Sequence, residues 1–545
     1  MSRRHWLATY GGKIPCEINP DAHGSVLEML EHAMQRFAER PAFRCFGQTL
    51  TYADADRLSR QFAAYLQGKL GVRKGDRIAV MLPNVAAFPL AMLGIVRAGG
   101  VQVNVNPLYT SRELEHQLND AGVETIVIFN AVSATLAEII GRTAVKQVIS
   151  VGPGDGTGAS LPTPPVDARL TNVVPFSDAL AQGAQLAFSP VALCGDDLLF
   201  LQYTGGTTGL SKGASLSHRN LVANTEQFKA FMADAMRPGE DVVVTALPLY
   251  HIFALMVNFI SYFSIGAENW LVANARDLDS FVEILRQARC TALTGVNTLY
   301  GALVTHPKIA DVDFSRLQVA IGGGAAVLPT TSARWKALTG KDILEGYGLS
   351  ETSPILTLNP ATSGDFSATV GLPFPSTDIK LLDANDGEAA VGEPGEVCAK
   401  GPQVMQGYWQ NPRANADAFT ADGYFRTGDI GVFDAKGFLK IVDRKKDMII
   451  VSGFNVFPNE VEAIAAGCAG VAECACVGRP DEKTGEAVRL FVAKASGATL
   501  TETDVIAHCR RELAAYKVPK EVRFLDALPK SNVGKILRKD LRGLP

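Results

Sequence analysis

Residues 77–105 read RIAVMLPNVAAFPLAMLGIVRAGGVQVNV. The opening run, 77–82, is apolar and β-like and is stopped by Pro83-Asn84. A helix is predicted over 86–97, and after Gly99-Gly100 the chain returns to a strand over 101–105. Strand, helix and strand in such short succession argue for a mostly parallel, layered α/β sheet. The alternation extends both ways. Upstream, Ser25 and Glu28 form a capping box ahead of VLEMLEHAMQRF, whose apolar residues recur at helical spacing. Downstream, a helix from Ser111 and a strand over 124–129 continue it.

Residues 152–165 (GPGDGTGASLPTPP) hold four Gly and four Pro and read as a surface loop. A second α/β run opens near Asp197, with apolar β-like runs at 241–247 and at 319–322, the latter leading into Gly322-Gly323-Gly324. After about residue 366 the pattern changes to short strands at 379–382, 395–400 and 437–442, separated by Gly, Pro and Asp turns, as in a small β-rich subdomain. The C-terminal stretch forms another compact α/β unit. Before it stands DRKKD at 443–447, a solvated turn or a hinge.

The chain has 545 residues, 47% hydrophobic and 20% charged, the composition of a soluble globular protein. At roughly 100–200 residues per domain this length suggests about three to five folding units. Its net charge of −4 argues against general nucleic-acid binding. Nine cysteines form no CxxC, and Cys468, Cys474 and Cys476 have no histidine at zinc spacing, so buried reduced thiols of a cytosolic protein are expected. The start, MSRRHWLATYGGKIPCE, lacks the apolar run of a secretory or twin-arginine signal. Residues 246–267 carry no Asp, Glu, Lys or Arg and are long enough for a membrane span of ~20 residues. Pro248, His251 and Asn258 interrupt them, so a buried core segment lining a cavity is the better reading.

Chemistry concentrates in four segments. YTGGTTGLSKG, at 203–213, combines glycines that let backbone approach an anion, Thr hydroxyls, and a cation at Lys212. Its spacing is not that of a Walker A loop, so alone it reads either as a phosphate cradle or as a flexible turn. EGYGLSETSP, at 345–354, offers Tyr347 for stacking on a base and Glu351 as a hard oxygen ligand for Mg²⁺. DGYFRTGDI, at 422–430, offers Asp429 for two ribose hydroxyls. LPKSNVGKILR, at 528–538, places Lys535 after a glycine on a C-terminal loop.

Together these segments resemble the adenylate-forming superfamily of acyl-CoA synthetases, nonribosomal adenylation domains and luciferases, over roughly 25–542. Within it, DGYFRTGDIGVFDAKGFLKIVDRKK closely resembles the signature of fatty acyl-CoA synthetases; ALPLYHIFAL, TGVNTLYGAL, KGPQVMQGYWQ, DRKKDMIIVSGFNVFPNEVE and YKVPK extend the likeness. The resemblance implies a large layered N-terminal domain at 1–442, made of two α/β subdomains and the β-rich one. A hinge at 443–447 and a mobile, smaller α+β C-terminal domain at 448–545 follow. It implies ATP-dependent activation of a long-chain fatty acid to its CoA thioester through an acyl-adenylate, with Mg²⁺. Alternatives are a medium-chain or aromatic acid, or delivery of the acyl-adenylate to a carrier protein. No carrier domain or G-G-x-S site accompanies the chain, which favours free CoA.

The resemblance also implies roles for particular residues. Lys535 matches the adenylation lysine and Glu351 the Mg²⁺ carboxylate. Thr204, Gly205, Gly206, Thr207, Thr208, Gly209 and Lys212 match the phosphate loop, with Thr204 also catalytic and Thr208 also turned to the metal. Gly322, Gly323, Gly324 and the Glu345, Gly346, Tyr347, Gly348 run match the adenine cleft, with Thr352 on the nucleotide side. Asp429 and Arg444 match the ribose contacts. Lys446 falls at the hinge, Gly453 beside the pantetheine path and Asn455 near the AMP phosphate. Two departures stand out: Ser211 replaces a Pro common in relatives, and Ile450 replaces a Lys of some plant relatives.

His251 lies in the acyl-pocket segment PLYHIF, either as a core residue or lining the carboxylate end. That segment has no acidic residue to pair a substrate ammonium, which favours a plain carboxylic acid. The 246–267 tract with Gly295, Gly301 and Ala302 suits an apolar tunnel. Between 510 and 542 there are ten Lys/Arg against four Asp/Glu, either a solvated face or an attraction for the phosphates of CoA. A cytoplasmic protein with peripheral contact at the inner membrane face fits a substrate that partitions into lipid. The sequence carries no reading of oligomeric state.

Overall fold

The computed structural model describes residues 4–204, 211–361, 367–452, 454–531 and 536–544. Residues 77–105 fold as the strand Arg77–Met81, the helix Ala87–Arg97 and the strand Val101–Asn104, the two strands parallel with Ile78 opposite Gln102. The helix is buried along its whole length, which its unbroken apolar composition requires. Ser25 caps the helix Val26–Arg36 by accepting from the Glu28 N–H, but the Glu28 carboxylate accepts from Gly24 N–H instead of Ser25 N–H. Only half of the expected capping box forms.

The first sheet has eight strands in the order Gly407–Tyr408, Lys212–Ser217, Leu198–Thr204, Val101–Asn104, Arg77–Met81, Thr125–Phe129, Gln147–Val151 and Val173–Pro175. All neighbours are parallel except at the edge where Lys212–Ser217 pairs antiparallel with both of its neighbours. The run beginning near Asp197 therefore belongs to this first sheet and does not open a new unit. The second sheet has nine strands, parallel through its centre, and it takes in Pro41–Cys45 and Gln48–Thr51 from the N-terminal end. The two α/β units are interleaved along the chain, not consecutive.

The strand Val319–Gly322 has the predicted bounds, and its glycine run leaves the sheet at its carboxyl end. The third sheet is the expected small β-rich unit, four antiparallel strands in the order Asp378–Leu382, Gly395–Lys400, Phe425–Phe433 and Leu439–Arg444. The fourth is the C-terminal unit. Its five strands are antiparallel apart from Glu521–Leu525, which lies parallel to Gly485–Lys494, with helices Pro458–Ala465 and Glu502–Glu512 nearby. Cys468, Cys474 and Cys476 are buried and free, as expected.

Residues 246–267 are core, not membrane. Ala254–Ser261 is a fully buried π-helix, and no helix among the described residues is long and apolar enough to cross a bilayer. Its polar Asn258 donates to Thr245 Oγ1 (3.0 Å), accepts from Thr294 Oγ1 (2.9 Å), and its carbonyl accepts from Asn269 (2.8 Å). Internal partners thus meet the demands of a buried amide. The loop at 152–165 is only partly on the surface: Gly152 and Gly154 are buried, and a Cβ on Gly156 would lie 2.6 Å from the Leu90 side chain.

Candidate active site

In open α/β sheets, ligands gather beyond the carboxyl ends of the strands. Here a cavity of about 610 Å³ lies where Leu198–Thr204 of the first sheet, and Ala292–Gly295 and Val319–Gly322 of the second, all end. The third sheet covers it with Asp429 and Arg444, which face each other across the strands Phe425–Phe433 and Leu439–Arg444. Thr204, Lys212, His251, Gly322, Gly323, Gly324, Gly346, Tyr347, Gly348, Glu351, Asp429, Arg444 and Lys446 all line it, so residues far apart in sequence converge as expected.

Glu351 sits on the short 3₁₀ turn Ser350–Thr352, buried. Its Oε1 accepts from Tyr408 OH at 2.9 Å and from Thr204 Oγ1 at 3.4 Å. Burial raises the pKa of its carboxyl above the ordinary range, and the two hydroxyl donors oppose that rise. Burial, reinforced by the Glu351 charge, raises the Tyr408 phenol well above its ordinary value, so it remains a donor. No ion pair to Glu351 forms among the described residues. A buried carboxylate beside a hydroxyl, without a basic partner, is the donor chemistry a hard divalent cation takes.

Asp429, 5% exposed, accepts from Tyr347 OH at 2.7 Å and lies 3.4 Å from Arg444 Nε. The carboxylate is thus held by side chains on both neighbouring segments. Lys212 places its ammonium 5.0 Å from the centroid of the Tyr408 ring, within cation–π range. Lys446 stands at the mouth, and burial together with Arg444 brings its ammonium down to about 8.

The backbone at one end of the cavity is held by buried amides. Asn84 donates to the carbonyls of Thr245 (3.0 Å) and Leu247 (2.9 Å) and accepts from Leu249 N–H (2.8 Å), pinning the backbone around Pro248. Gln202 donates to the Tyr250 carbonyl at 3.0 Å. His251 follows, its Nδ1 accepting from Phe253 N–H at 3.3 Å, which places the proton of the neutral ring on Nε2. Phe253 lies over Gly323, where a Cβ would come within 2.9 Å of the ring. Gly295, Gly301 and Ala302 do not line this cavity; a Cβ on Gly295 would strike the Tyr300 ring at 2.8 Å. Leu247, Ile252, Phe253 and Val296 supply apolar lining of the cavity instead.

Several expected residues stand elsewhere. Glu345 turns its carboxylate to Val327 N–H (2.7 Å), and Thr352 is fully buried with its hydroxyl engaged by the Leu349 and Pro354 backbone. Asn455 is exposed on the strand Phe454–Val456 and does not reach the cavity. Gly205, Gly206, Thr207, Thr208, Gly209, Gly453 and Lys535 lie outside the described residues. Tyr408, Asn84 and Gln202 belong to none of the four chemistry-bearing segments; the sequence signal for Tyr408 is its place in KGPQVMQGYWQ.

The AMP-binding enzyme family matches residues 30–409, and the AMP-binding enzyme C-terminal domain matches residues 460–535. The chain is 48% identical over 551 aligned positions to a long-chain-fatty-acid–CoA ligase of Salmonella typhimurium (strain LT2), covering 99% of this chain and 98% of that one. It is 36% identical to the protein of the same name from Bacillus subtilis (strain 168), covering 99% and 98%. Among solved structures, ATP-bound MatB from Rhodopseudomonas palustris superposes with a TM-score of 0.84 at 31% identity, covering 95% of this chain and 98% of that one.

Proposed function

The chain belongs to the AMP-binding enzyme family, and on that premise we propose that it is an ATP-dependent long-chain fatty acid–CoA ligase. The observation that carries this reading is one cavity joining a buried Glu351, the Tyr347–Asp429–Arg444 cluster and an apolar end at His251–Phe253. The naming of relatives up to 48% identical over nearly the full chain supports it.

A carboxylate is a poor acyl donor because its leaving group would be oxide. In the first half-reaction a carboxylate oxygen attacks the α-phosphorus of ATP and the bond to pyrophosphate breaks. In the second, the CoA sulfur attacks the acyl carbon and AMP departs. Asp429 and Arg444 hold the ribose and Tyr347 lies along the adenine. His251, with its proton on Nε2, lines the carboxylate end. Lys212 brings positive charge to the phosphates, where negative charge develops, and Lys535 joins it at the α-phosphate. Glu351 and Thr204 would hold Mg²⁺, together with Thr208, and the ion would supply charge neutralisation at phosphate oxygens. The segment 443–447 acts as the hinge of a C-terminal domain that exchanges Lys535 for the Gly453 face between half-reactions. Contact with a membrane surface fits the lipid partitioning of the acid.

The test is release of AMP, pyrophosphate and acyl-CoA from MgATP with C8, C12, C16 or benzoate acids, with and without CoA. CoA-dependent thioester from C12–C16 acids is expected. Preference for C8 or benzoate would move the reading to a shorter acid, and pyrophosphate without thioester would end the CoA assignment.

A further inference from the structure

Two opposite charges line one side of the cavity, the Glu351 carboxylate and the Lys212 ammonium. Glu351 is buried and Lys212 is exposed, and a direct pair between them would have to be broken each time a metal–nucleotide complex entered. A neutral side chain, Tyr408, touches both. Its hydroxyl donates to Glu351 Oε1 at 2.9 Å, and the Lys212 ammonium sits 5.0 Å from its ring centroid.

Tyr408 itself is fixed from several directions. It pairs with Ala214 in the strand ladder, while Trp409 N–H donates to the Gly213 carbonyl at 2.7 Å. The Asn415 amide brackets its backbone, accepting from Tyr408 N–H at 2.6 Å and donating to the Tyr408 carbonyl at 3.1 Å. The same segment reaches Glu351 again, as Met405 N–H donates to the Glu351 carbonyl at 2.8 Å. One rigid strap thus ties the strand leaving the phosphate loop to the turn that carries the carboxylate.

We propose that Tyr408 is a positioning residue for adenylation: its hydroxyl fixes the Glu351 carboxylate and its ring stations Lys212, so that neither charge is spent on the other. This rests on the reading of Glu351 as the Mg²⁺ carboxylate. Tyr408 touches no reacting atom; it acts through the two groups it holds.

Calorimetric titration of the full chain with ATP, without fatty acid, first in EDTA and then at rising MgCl₂, tests this. In the wild type, Mg²⁺ should tighten ATP binding. Tyr408→Phe keeps the ring and loses the donor. Its ATP affinity in EDTA should stay within about twofold of wild type, while the Mg²⁺ concentration for half of the tightening rises roughly tenfold, as expected for one hydrogen bond to a charged group. Tyr408→Leu loses the ring too and should weaken ATP binding several-fold even in EDTA. Asn415→Ala, which loosens the Tyr408 backbone and spares its hydroxyl, should raise the Mg²⁺ requirement in the same direction. Tyr408→Phe should add nothing to Glu351→Gln, because both act on one interaction.

A Tyr408→Phe protein that titrates Mg²⁺ as the wild type does overturns the proposal. So does one whose loss is equally large in EDTA or adds to that of Glu351→Gln. A wild type whose ATP binding ignores Mg²⁺ would instead overturn the Glu351 reading, and the proposal with it.

Discussion

Glu345 ends up with a job that differs from the one its motif suggests. Its carboxylate is 6% exposed and accepts from Val327 N–H, and burial pushes it up from 4.5 to about 7. Below pH 4.5 the carboxyl is neutral in folded and unfolded chains, and its contribution to stability is fully present. Between 4.5 and about 7 the unfolded chain ionises while the folded one keeps its proton, so stability falls as pH rises, by on the order of 3 kcal/mol. Above that window nothing further is lost. Glu345→Gln retains an acceptor for Val327 and removes the titration. The variant should therefore gain on the wild type between pH 5 and pH 8 in denaturant midpoint; parallel pH profiles for the two proteins would remove the raised carboxyl. The residue-scale limit of the sequence is visible here. EGYGLSETSP marks a motif, but only packing decides that Tyr347 and Glu351 turn into the cavity while Glu345 and Thr352 turn into the protein.

At the scale of elements, the run 443–447 exposes Lys445 and Lys446 but buries the carboxylates at its two ends, Asp443 and Asp447. Asp443 is fully buried at the end of the strand Leu439–Arg444, accepting from the N–H groups of Arg444 and Asn459. Arg538, on the short helix Arg538–Arg542, reaches Glu462 at 2.7 Å and Asp443 and Asp447 at 3.5 Å each. Removing one partner of such a buried cluster leaves uncompensated charge, at a cost of about 3–5 kcal/mol. Arg538→Ala should lower the first thermal transition and expose the C-terminal unit to limited proteolysis, with Arg538→Lys restoring part of the loss. An unaltered cleavage pattern would mean that the helix Pro458–Ala465 holds the segment without it.

Of the ten basic residues at 510–542, Lys517, Lys520, Lys530, Arg538 and Arg542 pair with Glu460, Asp481, Glu473, Glu462 and Asp447 within the C-terminal unit or its hinge. Local elements were legible where an apolar run met a glycine, as in Val319–Gly322 and Gly395–Lys400. Sheet membership was not, because Phe43 pairs with Asn269, and no local pattern announces a partner so distant in the chain.

At the scale of the whole molecule, three sheets meet at one cavity whose described lining ends at Lys446. The described lining comes from residues before the proposed hinge and, with Arg444, Lys445 and Lys446, from the hinge itself, whereas Gly453 and Lys535 come after it in the chain. The proposed exchange of Lys535 for the Gly453 face predicts that the two half-reactions separate by mutation. Lys535→Ala should slow pyrophosphate release from MgATP and fatty acid by about 10²–10³-fold, the scale of losing one charge-stabilising donor. It should still convert supplied acyl-AMP and CoA to thioester near the wild-type rate. Gly453→Leu should do the reverse, forming acyl-AMP normally and failing at the thioester. Single-turnover assays of each step, run from ATP and from acyl-AMP, measure the split. Equal losses in both steps for Lys535→Ala would place the lysine in general binding, and normal thioester formation by Gly453→Leu would take that residue out of the CoA path. A clean crossing of the two profiles would mean that the C-terminal domain presents different faces in turn, with the Arg538-braced segment at 443–447 as the place where it pivots.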